Sequence, residues 1–271
     1  MGKQAMVLND LQVVIKGGGE VASAIAHRLH RAHFRVLMTE TAAPLAISRG
    51  VAFCEAIYDG GKEIDGVICK RAHSAEEIPL IWAQNKLAIM VDPQARVMDT
   101  LRPDVLVDAI MAKKNLATKI GDAPLVIGLG PGFEVGRDAH LIIETNNSED
   151  LGRVILKGQA EADSRIPLAT GGLTHERVLH APADGQLRLE KQLGDPVRTD
   201  EAVAFVGEHP VIARIGGTVR ALLRDGTALK KGTKMGEIDP LARSEVAYAI
   251  RPRMRAISGG VLEAILMRFN A

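Results

Sequence analysis

The chain has 271 residues, of which 34 are lysine or arginine and 33 are aspartate or glutamate, so its formal net charge is +1. This balance gives no overall field that would attract nucleic acid or an anionic membrane surface. Aromatic residues make up 3% of the sequence, which leaves little material for the base-stacking surfaces of single-strand binders. We therefore expect a protein that binds neither nucleic acid nor membrane.

Hydrophobic residues make up 46% of the chain, yet no run approaches the ~20 apolar positions needed to cross a bilayer, and no export signal is recognisable. Cys54 and Cys69 give neither a disulfide framework nor a metal-ligand spacing. These features predict a cytoplasmic protein. The length predicts two domains.

The first chemical motif is a glycine turn near the amino end. An apolar run at 13–15 is followed by Lys16 and then by Gly17, Gly18, Gly19 and Glu20, which predicts a buried strand that turns into a helix. Glycine suits such a turn because the backbone must adopt unusual dihedrals and approach a pyrophosphate held by the helix start. The alternative is a turn that only packs helix against strand, without a ligand.

Glu40 ends the next predicted strand, close to the ~20-residue spacing at which a carboxylate accepts hydrogen bonds from a ribose 2′-hydroxyl. A carboxylate there would repel a 2′-phosphate. If a nicotinamide dinucleotide binds, NAD is therefore favoured over NADP.

A second glycine-rich turn, with Gly128, Gly130 and Gly132 around Pro131, follows another predicted strand. Turns at the carboxyl ends of parallel strands line one crevice, so this loop is predicted to face the first across the ligand. The alternative is a tight exit turn imposed by Pro131.

The first half of the chain alternates apolar runs with helical patterns, which is typical of an α/β domain with a Rossmann-like parallel sheet. Val21, Ile25 and Leu29 predict an amphipathic helix after the first turn. The capping pattern Ser74-x-x-Glu77 predicts a helix over 74–84. The apolar runs predicted as buried strands are 34–39, 66–69, 87–91, 105–107, 124–129 and 141–143.

The second half contains an internal repeat, since residues 181–188 align with 213–220 at an offset of 32. Two half-units of short strands predict a small all-β sandwich with pseudo-twofold symmetry, resembling the biotinyl/lipoyl barrel-sandwich domain. In that family a lysine at the hairpin tip is acylated. The tip here, 207–212, has no lysine, which argues against a carrier role.

These patterns predict four segments. Residues 1–146 form a Rossmann-like nucleotide- or cofactor-binding domain, 147–180 a linker, and 181–240 the barrel-sandwich domain. Residues 241–271 form a C-terminal segment whose helix, over 259–269, packs back on the protein.

Other residues are weaker candidates for chemistry. Asp108 follows a strand, and Lys113 or Lys114 beyond it is a candidate for neutralising a phosphate, although solvated charge is the more ordinary interpretation. Cys54 precedes Glu55, which opposes thiolate formation, so a small buried residue is favoured. Three histidines, His27, His30 and His33, are interpreted as a solvated helix face and not as a metal site.

The order of these pieces resembles the bacterial proteins of the selenium-dependent molybdenum hydroxylase system, called YqeB-type and related to the xanthine dehydrogenase accessory factors. The resemblance spans nearly the whole chain and rests on segments 14–20, 25–30, 36–40, 43–44, 51–56, 111–115, 128–133, 143–146, 150–152 and 177–182. One departure is the run 146–150, which lacks the arginine and histidine of the relatives. Arg153 is a candidate substitute.

The resemblance implies an accessory protein that matures or inserts the molybdenum cofactor, with the hydroxylase apoenzyme or another pathway protein as partner. The ligand implied is a nucleotide-like molecule or the pterin itself, molybdopterin. Two alternatives remain: an NAD-dependent oxidoreductase and a non-catalytic interaction scaffold. The sequence marks no catalytic residue strongly.

Overall fold

A computed structural model describes residues 8–164, 166–167, 169–241 and 243–270. The chain divides into two compact units. Unit 1 comprises the described residues within Met1–Pro44, Phe53–Ser164 and Ile250–Ala271, and unit 2 those within Leu45–Ala52 and Arg165–Ala249. The predicted segments are thus divided differently. Part of the predicted linker belongs to each unit, and residues 45–52 join unit 2 because Ile47 accepts a backbone hydrogen bond from Leu222.

Unit 1 contains nine strands and five α-helices. In chain order they are β1 Gln12–Lys16, α1 Glu20–Arg31, β2 Arg35–Glu40, α2 Ala56–Asp59, β3 Gly61–Ile64, β4 Val67–Ala72, α3 Glu77–Ala83, β5 Leu87–Val91, α4 Met98–Leu101, β6 Val105–Asp108, β7 Leu125–Leu129, β8 Leu141–Ile143, β9 Val154–Ile155 and, at the end of the chain, α5 Pro252–Phe269. Each of the six apolar runs predicted as strands overlaps one of these strands, so their positions are confirmed.

The nine strands form one sheet in the order β3-β4-β5-β2-β1-β6-β7-β8-β9. The seven inner strands are parallel, whereas β3 and β9 pair antiparallel with their neighbours. The predicted parallel sheet is therefore wrong, since the sheet is mixed. The reason at one edge is the hairpin turn Asp65-Gly66, where both residues have positive φ (47° and 77°) and fold β3 back on β4.

Helix α1 follows the prediction, with Ile25 and Leu29 fully buried. Two helix starts differ from the sequence pattern. Helix α3 begins at Glu77, and the Glu77 carboxylate accepts a hydrogen bond from the His73 N–H, so the cap predicted at Ser74 does not form. Helix α5 begins at Pro252, seven residues before the predicted start, because proline suits the first helical position.

Unit 2 is built from eight short strands: β10 Val178–His180, β11 Gly185–Leu189, β12 Pro196–Val197, β13 Ala202–Val206, β14 His209–Ile212, β15 Gly217–Leu222, β16 Ala228–Leu229 and β17 Lys234–Asp239. They form two four-stranded sheets, β10-β17-β15-β12 and β14-β13-β11-β16. Each of the first four strands overlaps one of the last four at an offset of 32 residues. The predicted repeat is therefore a repeat of strands.

The predicted barrel is not found, because the described residues of unit 2 form two separate antiparallel sheets. The end strands β12 and β16 contain only two residues each, and β10 and β14 are hydrogen-bonded on one side only. Such short ends do not close the sheets on one another. The core between the sheets is aliphatic, with Val203, Val219 and Ile238 fully buried.

Within the described residues, no helix is both long and apolar enough to span a bilayer.

Candidate functional site

The parallel strands of unit 1 end at one edge of the sheet, and β1 and β6 lie side by side at its centre. From β1 the chain continues to β2 on one side, while β6 continues to β7 on the other. A crevice outside the carboxyl ends of the strands at such a reversal is the usual ligand position in open α/β sheets. The predicted site residues Gly17, Gly18, Gly19 and Glu40 follow or end strands at this edge.

Two of the first three glycines are required by packing. Gly17 has φ +101°, and a Cβ there would lie 3.0 Å from the carbonyl oxygen of Ala109. At Gly18 a Cβ would lie 2.9 Å from Ile89 Cδ1 and 3.0 Å from Cys54 Cβ. Both positions therefore need glycine whether or not a ligand binds.

Gly19 differs from its neighbours. It is the N-cap of α1, with φ −71° and ψ −173°, an extended conformation open to any residue. A Cβ at Gly19 would have no atom within 4 Å. Neither backbone geometry nor packing accounts for glycine here, so the space beside it is available to a ligand.

Helix α1 presents its first turn to this space. The first N–H groups of an α-helix have no acceptor within the helix and carry the positive end of its dipole. Glu20 opens the helix, and its Oε1 lies 3.4 Å from Nε of Arg251, with both side chains largely buried. The C-terminal segment thus brings a cation to the start of α1, a residue that the sequence analysis did not single out.

Glu40 is half-buried at the end of β2, and burial raises the pKa of its carboxyl group, although a hydrogen bond from the Thr41 N–H opposes this. Burial and the nearby charges of Glu40 and Glu55 raise the pKa of the Cys54 thiol far above neutrality. Cys54 donates its backbone N–H to the Gly18 carbonyl oxygen at 2.9 Å. Cys54 therefore braces the glycine turn beside Glu40 and carries no thiolate.

A buried polar cluster joins β1 and β6. Lys16 Nζ donates to Thr118 Oγ1 at 2.7 Å, and Thr118 Oγ1 donates to Asp108 Oδ2 at 2.6 Å. Lys16 Nζ also lies 3.5 Å from Asp108 Oδ2. All three residues are buried. Lys16 and Thr118 were missed by the sequence analysis, although a lysine ending an otherwise apolar strand is itself a signal of a buried charge pair.

The loop that follows β6 has an unusual backbone, with positive φ at Met111 (61°), Lys113 (60°) and Ala117 (123°). Its lysines do not stand out as phosphate ligands. Lys113 pairs with Asp163 at 2.5 Å, and Lys114 is exposed.

All three glycines of the second predicted loop have packing reasons. A Cβ at Gly128 would meet the Phe133 ring at 2.6 Å, one at Gly130 would meet the Thr145 side chain, and one at Gly132 would lie 2.5 Å from Lys114 Cα. The second loop is therefore packed against its own unit, and its part in ligand binding stays a prediction.

Glu144, directly after β8, is buried and organises the next loop. Its carboxylate accepts the backbone N–H groups of Thr145, Asn146 and Glu161 at 2.6–2.8 Å. Arg153, the candidate substitute for the missing basic residue, pairs with Asp150 at 3.1 Å on the surface.

The histidine interpretation needs one correction, since His27 is only 4% exposed and not part of a solvated face. Burial lowers the pKa of His27, although Asp65 opposes this. Within the described residues, no group of three or more histidine, cysteine or acidic side chains is placed to hold a metal ion.

No family model matches the chain. Among solved structures, the chain is similar to the product-bound ectoine utilization protein EutE (DoeB) of Ruegeria pomeroyi at 11% identity and a TM-score of 0.26, over 84% of this chain and 85% of that one. It is also similar to an aspartoacylase family protein of Mesorhizobium loti at 13% identity and a TM-score of 0.29, over 86% and 87% of the two chains. TM-scores this low are insufficient for an argument about fold or activity.

The comparisons correct the predicted role in maturing a molybdenum cofactor. The solved structures are described as ectoine utilization, aspartoacylase and succinylglutamate desuccinylase proteins, and the similar sequence is described as uncharacterized. None of these descriptions names a molybdenum or selenium protein. The similar sequence therefore gives no support to the accessory function implied by the resemblance, and that function is withdrawn.

The coarser resemblance is confirmed by sequence identity. The chain is 42% identical over 255 residues to the uncharacterized protein YqeB of Escherichia coli (strain K12). The match covers 94% of this chain and 47% of YqeB, so the chain spans about half the length of that relative. The chain is therefore similar to part of YqeB.

Proposed function

We propose that unit 1 binds a nucleotide-like small molecule, with a diphosphate at the start of α1 and a ribose hydroxyl on Glu40. The observation that carries this proposal is the contrast among the three glycines. The space in which a Cβ would lie is occupied by Ala109 at Gly17 and by Ile89 and Cys54 at Gly18. Gly19, in contrast, faces open space at a helix start. Gly121 is equally open, and what separates Gly19 from it is its position at the start of a 12-residue helix, whose free N–H groups favour an anion.

Charge supports the same assignment. The first-turn N–H groups of α1 favour an anion, and the charge of Arg251 offsets that of the Glu20 carboxylate at the same helix start. At the other end, Glu40 presents a half-buried acceptor at the end of β2. Ligands without a 2′-phosphate are therefore favoured, since that group would meet the Glu40 carboxylate.

The test is a thermal-shift panel of NAD, NADP, ATP and CTP on the whole chain, on Gly19→Val and on Gly121→Val. Gly121 is the matched control, because a Cβ there also meets nothing within 4 Å and its φ is not positive. We expect one nucleotide to stabilise the wild type and Gly121→Val but not Gly19→Val. At a hundred times the Kd the stabilisation is about 2.7 kcal/mol.

Two results would overturn the proposal. One is no shift with any nucleotide at millimolar concentration. The other is an equal shift in all three proteins, which would place the ligand elsewhere. NADP shifting the wild type more than NAD would overturn the role of Glu40 while leaving the glycine site in place.

A further inference from the structure

A groove of about 520 Å³ lies in unit 2 between the edge strands β10 and β14. Residues 178–182 form one wall and residues 210–212 with Arg214 the other, with Lys231 and Gly232 completing it. These two walls are equivalent segments of the internal repeat, offset by 32 residues. The groove therefore lies where the two half-units of the repeat meet.

The walls are equivalent in the repeat but not in chemistry. His180 aligns with Ile212, and Pro182 aligns with Arg214. In each pair, one residue has a basic side chain and the other has an apolar one. The repeat alone does not explain these charges, since symmetry would give both walls the same side chains.

The lining of the groove is basic, and the acidic group that interacts with Arg214, Glu176, lies outside it. His180, Arg214 and Lys231 line it, and none of the described lining residues is acidic. Among the described residues, neither Arg214 nor the Lys231 ammonium has an ion-pair partner. The neighbouring Asp184 is already engaged, because it accepts from Lys230 Nζ and the Lys231 backbone N–H, both at 2.8 Å.

The side chains around His180 are also positively charged. The pKa of His180 is lowered by partial burial, and then by the charges of Lys234, Arg214 and His175. Glu176 is the acidic group nearby. It lies outside the groove lining, it accepts the Thr174 N–H, and the charges of His175 and Arg214 help to lower its pKa.

The rest of the groove is apolar. Val178 and Val211 are buried in its walls, while Pro210 and Ile212 are exposed, Ile212 at 40%. Small-molecule pockets are usually of 300–1,000 Å³ and combine apolar walls with a few polar groups that fix orientation. The volume of this groove lies in that range, and its lining likewise combines apolar walls with a few polar groups.

We propose that the groove between β10 and β14 binds an amphipathic organic anion, with its carboxylate or phosphate at Arg214 and Lys231 and its apolar body against Pro210 and Ile212. This site is separate from the nucleotide site proposed for unit 1 and does not depend on it.

The experiment uses three probes with one shared body: 4-phenylbutyrate, 4-phenylbutanol and 4-phenylbutylamine. Binding to the whole chain is measured by calorimetry and located by amide chemical shifts. We expect the anion to bind best and to shift amides of 178–182 and 210–214. Arg214→Gln should weaken its binding about three- to tenfold, and Ile212→Ser should weaken all three probes.

Arg188→Gln is the control, since Arg188 is exposed in the same unit, lies over the Phe205 ring and does not line the groove. The Arg188→Gln variant should bind 4-phenylbutyrate as tightly as the wild type does. Equal binding of the amine, shifts confined to other residues, or no effect of Arg214→Gln would each overturn the proposal. Absence of binding at millimolar concentration would overturn it too, and thermal melting of each variant confirms that it is folded.

Discussion

Lys16 and Asp108 end two adjacent strands, pair in register, and hold the hydroxyl of Thr118 between them. The loop after β6 is thereby tied to the centre of the sheet by charge-assisted hydrogen bonds in a buried setting. Since an unmade hydrogen bond costs most where water is excluded, this cluster should contribute to the stability of unit 1 as well as shape its edge.

Replacing Thr118 with valine keeps the shape but removes the hydroxyl. Lys16 Nζ then loses an acceptor and Asp108 loses a donor, so we expect a loss of about 1–3 kcal/mol in the free energy of unfolding. Urea denaturation of the variant and the wild type measures this loss in the free energy of unfolding. Thr118→Ser keeps the hydroxyl and should lose less, whereas a Thr118→Val variant as stable as the wild type would show that these hydrogen bonds do not stabilise the fold.

Gly18→Ala should destabilise the fold without any ligand present. The new Cβ lies 2.9 Å from Ile89 Cδ1 and 3.0 Å from Cys54 Cβ, and overpacking of this kind costs about 1–3 kcal/mol. Shortening the neighbour should relieve it, so in an Ile89→Val background the loss should be smaller. Additive effects of the two substitutions in thermal melts would contradict the contact.

Glu40→Gln should stabilise the free protein at neutral pH. Because burial raises the folded-state pKa of Glu40, the folded protein binds a proton more tightly there than the unfolded chain does. Its stability therefore falls as pH rises through the pKa of Glu40. We expect Glu40→Gln to melt higher than wild type at pH 7, with the gap closing toward pH 4. A gap independent of pH would show another cause.

The Glu237 carboxylate allows a buried and an exposed partner to be compared. Arg177 is 2% exposed and bonds it at 2.9 Å, whereas the Lys234 side chain is 42% exposed and bonds it at 2.6 Å. We expect Arg177→Leu to cost about 3–5 kcal/mol and Lys234→Leu less than about 1 kcal/mol. Guanidinium denaturation of the two variants measures the difference, and equal costs would mean that burial does not set the strength of this pair.

Most strands of unit 1 could be predicted from sequence because they are short apolar runs, and β1, β6 and β7 are buried along nearly their whole length. The antiparallel edges were missed for different reasons. Strand β3 reads Gly-Lys-Glu-Ile, with little apolar character, although the Asp65-Gly66 pair after it is a hairpin signal. Strand β9 has only two residues, too few to give any pattern.

The candidate site was predictable in part. Glycines mark tight places in the backbone, but sequence does not say whether a neighbouring side chain or a ligand occupies the space. Gly18 and Gly19 look alike in the sequence, and only the positions of Ile89 and Cys54 separate them. Thr118 and Arg251 reach the same edge from segments whose proximity depends on the tertiary fold.

Helix α5 has a consequence for how unit 1 folds during synthesis. It packs on α1 and on β7 and β8, which all precede it in the chain. An emerging polypeptide therefore leaves that side of its large sheet uncovered until Pro252–Phe269 has left the ribosome. Chaperone capture of ribosome-bound chains should persist until then, and deletion of 252–269 should leave an aggregation-prone product.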